Sequence, residues 1–379
     1  SMTEPSVKGW CPGAHRPMIS GDGLIVRIRP KLAQFSKNQL EEICRLSDIY
    51  GSGIVEITNR ANLQLRGIDP RGHERLLDNL HQLDLLDRDL ATEARRNIII
   101  TPDWVQGDLS EQITKEFYLR LSELPDLPAK FGFAVDLGRI PRLQNVSADI
   151  RIERTADGTL LVCPDGSAFG RAATTKTLVN CIIDVARWFN ATGGHSAKRM
   201  RIHLTNKALP KAWDLIPRNP QNIPLHIGEI SEGQIIGIPF GQCNYQDVLQ
   251  LLSMSKAKTI RLTPWRSILL KDGKTIDADR RFITCHKDPL LQINACPGQP
   301  MCQSATVETR PLARALAGKI KGKLHISGCS KGCARSKDAD ITLVGENGTF
   351  NLIQDGHAGD TPQKTGLTGP LILKTLDSL

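Results

Sequence analysis

Apolar and polar positions alternate over short runs and recur at helical spacing over longer ones, so the chain reads as short strands mixed with amphipathic helices. LIVRIR, from Leu24 to Arg29, predicts a strand. Ser36 with Gln39 three residues on predicts a capped helix whose stripe is Leu40, Ile43, Leu46 and Ile49 and which stops at Gly51. GIVEITNRANLQLRGI then predicts two strands about a turn at Thr58 to Asn62, and HERLLDNLHQLDLL from His73 predicts a second helix. Strand, helix, strand, strand, helix is the order of a ferredoxin-like unit. From Ala94 to Gly194 come ARRNIIITPDW, LPAKFGFAVD and VSADIRIERTADGTLLV, then a helix with Leu178, Ile182, Val185 and Phe189 on one face, closed by Gly193 and Gly194. IPRNPQNIP, from Ile216 to Pro224, breaks the pattern and predicts a linker.

Beyond that segment the order repeats. GQIIGIPFG, YQDVLQLLSMS and KTIRLTPWRSILL again read strand, helix, strand, strand, and RLTPWRSILL is laid out like EITNRANLQL. ADITLVGENGTFNLI from Ala339 mirrors ADIRIERTADGTLLV from Ala148. The expected fold class is therefore α+β, built of duplicated ferredoxin-like and αβ units with pseudo-two-fold symmetry, which puts a site at the junction of the halves. The expected units are 1–92 and 223–284, each ferredoxin-like, and 93–222 and 285–379, each an αβ domain, the last carrying paired cysteines.

Composition narrows the partner. A net charge of +9 on 379 residues calls for something anionic. Lys and Arg are dispersed and aromatic residues are only 4%, which argues against nucleic acid and for a small polyanion. No apolar run has the length of a membrane span, so no membrane partner is expected. Ten cysteines without a secretory start predict thiols or metal ligands in a reducing, cytoplasmic setting.

Two stretches carry candidate chemistry. Cys296 and Cys302 have five residues between them; Cys329 and Cys333, in GCSKGCAR, have three. Four thiolates from two loops suit zinc or an iron–sulfur cluster; the first gap is wide for a zinc knuckle, and neither gap has ferredoxin spacing. Cys44, Cys163, Cys181, Cys243 and Cys285 are expected to stay outside that centre. In the first half Arg60, Asn62, Gln64 and Arg66 alternate, and on one strand they would form a single polar row able to grip carboxylates.

The five-then-three cysteine spacing, the Thr-x-Arg-x-Asn-x-Gln string at Thr58 to Gln64 and the Arg96-Asn97 pair together resemble the sirohaem-type nitrite and sulfite reductase superfamily, over nearly the whole chain. The resemblance implies a [4Fe-4S] cluster on Cys296, Cys302, Cys329 and Cys333. It implies tetrapyrrole binding by Arg27, Arg29, Thr58, Arg60, Asn62, Gln64, Arg66 and Asn97, with Arg96 and Lys130 at the reacting group. LPAKFGF keeps Lys130 but has Gly132 where the reductases have a second anion-binding lysine. With the loop CPGAHRPMISGDG, which carries Cys11, His15 and Arg16, this resembles the branch that takes a tetrapyrrole as substrate in oxygen-dependent cobalamin synthesis. That branch is a monooxygenase: with O₂ and an external electron donor it hydroxylates C20 of precorrin-3A and closes a γ-lactone. The resemblance further implies a mononuclear non-haem iron; His15, His195, His203, His286 and His325 are scattered, and none is assigned as its ligand. Sirohaem-dependent reduction of sulfite or nitrite is the alternative, and a cation lost at Gly132 counts against it.

Overall fold

The computed structural model describes residues 12–277 and 279–375, whose strands form four sheets. The first unit holds β1 (Met18–Ser20), β2 (Gly23–Ile28), β3 (Gln34–Ser36), β4 (Ile54–Ile57) and β5 (Leu63–Ile68), with helices α1 (Lys37–Tyr50) and α2 (His73–Gln82). The α1 start is the predicted one: the Ser36 hydroxyl accepts from the Gln39 amide, and the Gln39 side chain accepts from the Ser36 amide. Leu40, Ile43 and Leu46 are buried as expected, but Ile49, the last residue but one of the helix, is 66% exposed. Gly51 ends α1 for a different reason from the left-handed turn that glycine usually supplies. Its φ is −141°, and a Cβ there would lie 2.7 Å from the Arg66 carbonyl oxygen and from Ile68 Cδ1, so close packing on β5 demands the glycine.

The first αβ part comprises β6 (Ile98–Ile100), β7 (Phe133–Asp136), β8 (Ile150–Arg154), β9 (Leu160–Pro164), β10 (Phe169–Ala173) and β11 (Ile216–Pro217). β6, β7 and β8 run parallel and the rest antiparallel. The helix Leu178–Ala191 buries Leu178, Ile182, Val185 and Phe189 against this sheet. The segment expected to be a linker is pinned instead. Pro217 pairs with Phe169, the Ile223 amide donates to the Pro141 carbonyl, and Gln144 bonds to Asn219 and Asn222. Its Pro and Asn residues shape an edge strand and a fixed coil.

The second half follows with β12 (Gly228–Ile230), β13 (Gly233–Gly237), β14 (Gln242–Asn244), β15 (Thr259–Leu262) and β16 (Ser267–Lys271). Then come β17 (Ile293–Ala295), β18 (Leu324–Ser327), β19 (Ala339–Glu346), β20 (Thr349–Gly356) and β21 (Lys364–Leu367). The orders β1-β2-β5-β4-β14 and β12-β13-β16-β15-β3 are counterparts, and each sheet ends in a strand from the other half. The three-residue turns before the exchanged strands match too: Leu32 has φ 57° and Phe240 has φ 58°. Ala61 and Arg266, at φ 53° and 52°, turn corresponding hairpins. β17, β18 and β19 repeat the parallel run of β6, β7 and β8, and β8–β9 and β19–β20 are the two mirrored Ala-Asp-Ile hairpins. The chain is thus a duplicated α+β fold. One continuous apolar core joins both ferredoxin-like units to the first αβ sheet, while the cysteine-bearing sheet has a core of its own.

Candidate functional site

Cys296 follows β17 directly and Cys329 comes two residues after β18, so both cysteine loops leave the same end of two adjacent parallel strands. The backbone holds them together: the Cys296 amide donates to the Ile326 carbonyl at 3.2 Å, and the Gly328 amide donates to Cys296 Sγ at 3.1 Å. Each pair contains a glycine in the left-handed region, Gly298 at φ 67° and Gly332 at φ 62°. Burial grades from Cys296, which is buried, through Cys302 and Cys329 to Cys333, which is exposed, so the group is sunk on one side and open on the other. Burial pushes the Cys329 thiol up, and Cys302 and Cys296 push it further; Cys333 is raised by burial and by the other three thiols. Thiols that hinder one another's ionisation are relieved by a bound cation.

Four thiols from two adjacent loops, buried on one side and open on the other, are a donor set that fits an iron–sulfur cluster. Cys44, Cys163, Cys181, Cys243 and Cys285 are free and lie elsewhere; burial raises Cys44 to about 12, the behaviour of an inert core thiol.

The polar row is only partly as expected. β5 begins at Leu63, so Arg60 sits in the hairpin turn, where the Thr58 hydroxyl accepts from the amides of Arg60 and Asn62. The turn throws the Arg60 guanidinium off the strand face onto the first αβ sheet, where it donates to Asn97 Oδ1 at 3.1 Å and to the carbonyls of Asn97, Phe133 and Ser147. Asn62 is buried at the start of β5. Gln64 and Arg66 do share a face, with Arg27 and Glu56 beside them: Arg27 donates to Gln64 Oε1 at 2.7 Å, and Gln64 Nε2 donates to Glu56 at 3.1 Å. Arg66, 3% exposed, is bound bidentately by Asp22 at 2.9 and 3.0 Å and reaches Glu56 and the Met301 carbonyl in the first cysteine loop. It locks the sheet to that loop and has no arm left for a ligand.

Arg96 is likewise committed. It is 6% exposed, paired through two bonds with Asp87, and it donates to the Arg29 carbonyl, while Arg29 donates to the Glu93 carbonyl. Lys130 is exposed on the loop before β7. Gly132 does not leave a gap in the positive charge. A Cβ there would lie 2.6 Å from Arg60 Nη2 and 2.9 Å from Asn97 Nδ2, so the glycine makes room for Arg60, which occupies the space. Burial, and then Arg29, lowers the Arg60 pKa to about 9, so the side chain remains a cation at neutral pH.

Sequence reasoning missed the groups on the far side of this face. Glu56 is 7% exposed, Gln242 of the exchanged strand lies opposite it, and Arg310 approaches Glu56 Oε1 to 3.9 Å. Next to them is a cavity of about 280 Å³ lined by Asn59, Phe240, Trp265, Arg266, Asn294 and Ala334 among others. His325, fully buried on β18, is pressed beneath Gly332; burial, then Arg335 and Arg266, lowers its pKa to about 4. The duplication alone could have flagged Arg266, which stands in the hairpin corresponding to Arg60. The other histidines do not converge. His15 contacts the Asp87 carbonyl, His203 bonds to Thr192, and His195 and His286 are exposed. The described part of the N-terminal loop is tied to Glu93, which accepts from the amides of Ala14 and His15; Cys11 lies outside the described residues.

A family model described as the nitrite/sulfite reductase ferredoxin-like half domain matches residues 16–83. Over 391 aligned residues the chain is 28% identical to a precorrin-3B synthase of Sinorhizobium sp, covering 94% of this chain and 84% of that one. It is 23% identical to a ferredoxin–nitrite reductase of Synechococcus elongatus, covering 87% of this chain and 77% of that one. The solved structure of the NirA protein of Mycobacterium tuberculosis superposes with a TM-score of 0.65 at 17% identity, over 93% of this chain and 79% of that one. No helix among the described residues is long and apolar enough to cross a membrane. The duplicated architecture, the matched half domain and the full-length likeness agree: along most of its length the chain is similar to a precorrin-3B synthase and to nitrite reductases.

Proposed function

We propose that the chain is a precorrin-3B synthase, an oxidoreductase that hydroxylates C20 of precorrin-3A with O₂ and closes the γ-lactone from the ring A acetate. The observation that carries this reading is the 28% identity along 94% of the chain, above the values for the nitrite reductases. A charge argument does not carry it, because Arg60 supplies a cation beside Gly132.

In this reading Cys296, Cys302, Cys329 and Cys333 hold a [4Fe-4S] cluster whose chemistry is one-electron transfer from an external donor. The remaining work falls to the chain's own side chains. Arg27, Arg29, Thr58, Arg60, Asn62, Gln64 and Asn97 border the junction and hold substrate carboxylates, directly or by fixing their neighbours. Arg66 and Arg96, already saturated by carboxylates, keep the two sheets in register. Lys130, exposed on the loop before β7, reaches a peripheral carboxylate. One atom of O₂ ends in the C20 hydroxyl and the other leaves as water, with a pair of electrons from the donor and two protons from solvent. A mononuclear iron has no assigned ligands here.

The test is ¹⁸O₂ supplied with reductant and precorrin-3A. Label is expected on the C20 hydroxyl and not on the lactone oxygens. A second reading, a sirohaem-dependent reductase, is favoured by the cation kept at Arg60 and by the nitrite reductase likeness. Stoichiometric sirohaem in the isolated protein, seen as intense Soret and red bands, or turnover of sulfite or nitrite, selects it.

A further inference from the structure

Arg310 stands at the first turn of the helix Arg310–Leu316, and its neighbour Thr309 donates its hydroxyl to the Cys296 carbonyl at 2.6 Å. That bond fixes the arginine beside the most deeply buried of the four cysteines. The side chain is 16% exposed, and its Nε and Nη1 have no hydrogen-bond partner among the described residues. Its contacts are a carboxylate at 3.9 Å, Glu56 Oε1, and the Phe240 ring at 5.9 Å from the centroid. Glu56 is in turn shared: its other oxygen accepts from Gln64 and Arg66, and Oε1 has no hydrogen-bond partner. Arg66 and Arg266 lie near enough to repel Arg310, and burial with that repulsion lowers its pKa to about 10.

A sheltered guanidinium with two unused donors, near two more cations and a carboxylate that is itself shared, is short of negative charge. The missing charge has an obvious position. Four cysteine thiolates around a [4Fe-4S] core are net negative in both oxidation states, and Cys296 is close enough to act electrostatically on Arg310. We propose that Arg310 is the counter-ion built into the fold for the cysteine centre, and that the Arg310–Glu56 pair sets how readily that centre accepts an electron. This rests on the reading that the four cysteines hold such a cluster. Net charge and hydrogen bonds around a cluster are what move its potential, and a reduction step adds negative charge that a nearby cation stabilises and a nearby carboxylate opposes.

The experiment is a redox titration of the reconstituted full chain, followed by electron paramagnetic resonance, with iron and sulfide measured on each sample. Arg310→Met is expected to load the cluster and shift its midpoint to lower potential, Arg310→Lys to shift it less, and Glu56→Gln to shift it upward. Arg314→Met removes an exposed cation over the same Phe240 ring and is expected to leave the midpoint in place. Unchanged midpoints in both Arg310→Met and Glu56→Gln overturn the proposal, as does an equal shift in Arg314→Met. Should Arg310→Met fail to load, the sign of the Glu56→Gln shift decides alone. A wild-type chain that binds no iron or sulfide overturns the cluster reading itself, a result the metal analysis separates from an unmoved potential.

Discussion

Gly132 and Arg60 occupy one space. Replacing Gly132 by Ala puts a methyl group 2.6 Å from Arg60 Nη2, so the guanidinium must leave its carbonyl cradle. Such overpacking costs about 1–3 kcal/mol of stability, read as a lowered denaturation midpoint, and weakens tetrapyrrole binding while iron and sulfide content stays at the wild-type level. Arg60→Ala is expected to weaken binding by roughly 1.5–3 kcal/mol, measured by titration with the tetrapyrrole, since a lost bond to an ionised group is of that size. Affinity equal to wild type would reduce Arg60 to a brace for the hairpin. At the centre itself, Cys329→Ala is expected to abolish the brown absorbance and the iron and sulfide content, whereas Cys285→Ala, at an exposed thiol elsewhere, keeps both. These cysteines were legible because their spacing is local in sequence. The counter-charges were not, since Glu56 and Arg310 are 254 positions apart and meet only through the fold.

Between the halves, elements that correspond in shape have diverged in content. The loop after β18 carries Cys329 and Cys333; the loop after β7, residues 137–148, folds back on Asp136, whose Oδ2 accepts from the amides of Arg142 and Leu143. Asp136 is 3% exposed, and burial, reinforced by Glu153 and Asp103, raises its pKa from 3.8 to about 7. The native state therefore holds this proton more tightly than the unfolded chain does. The resulting stabilisation is complete below pH 4 and is lost as pH rises from about 4 to 7, with an upper size of roughly 4 kcal/mol. Asp136→Asn keeps the acceptor and removes the titration, so its stability, measured by urea unfolding, should change less over that window and exceed wild type at pH 8. The α1 capping box, the hairpin at Thr58 to Asn62 and the mirrored Ala-Asp-Ile hairpins were all readable as patterns. The placement of Arg60 was not, because strand alternation says nothing of where a turn takes over, and Ala61 at φ 53° is the residue that breaks the row.

For the whole molecule, duplication was legible because both halves repeat the same order of elements, but the exchange of β3 and β14 was not. Those strands are three residues long, and nothing in a three-residue pattern names its partner. The exchange makes each ferredoxin-like sheet a product of the entire chain. Chain emerging from a ribosome has β4 with a bare edge until residues 242–244 arrive, and β3 has no sheet to join until β15 exists. Until then the first half presents an unpaired strand edge, the kind of surface that invites edge-to-edge association. The same wiring sets how the protein can be cut. Split near residue 222, two separately purified fragments should each remain protease-sensitive, and mixing them should restore resistance, since each brings the strand that closes the other.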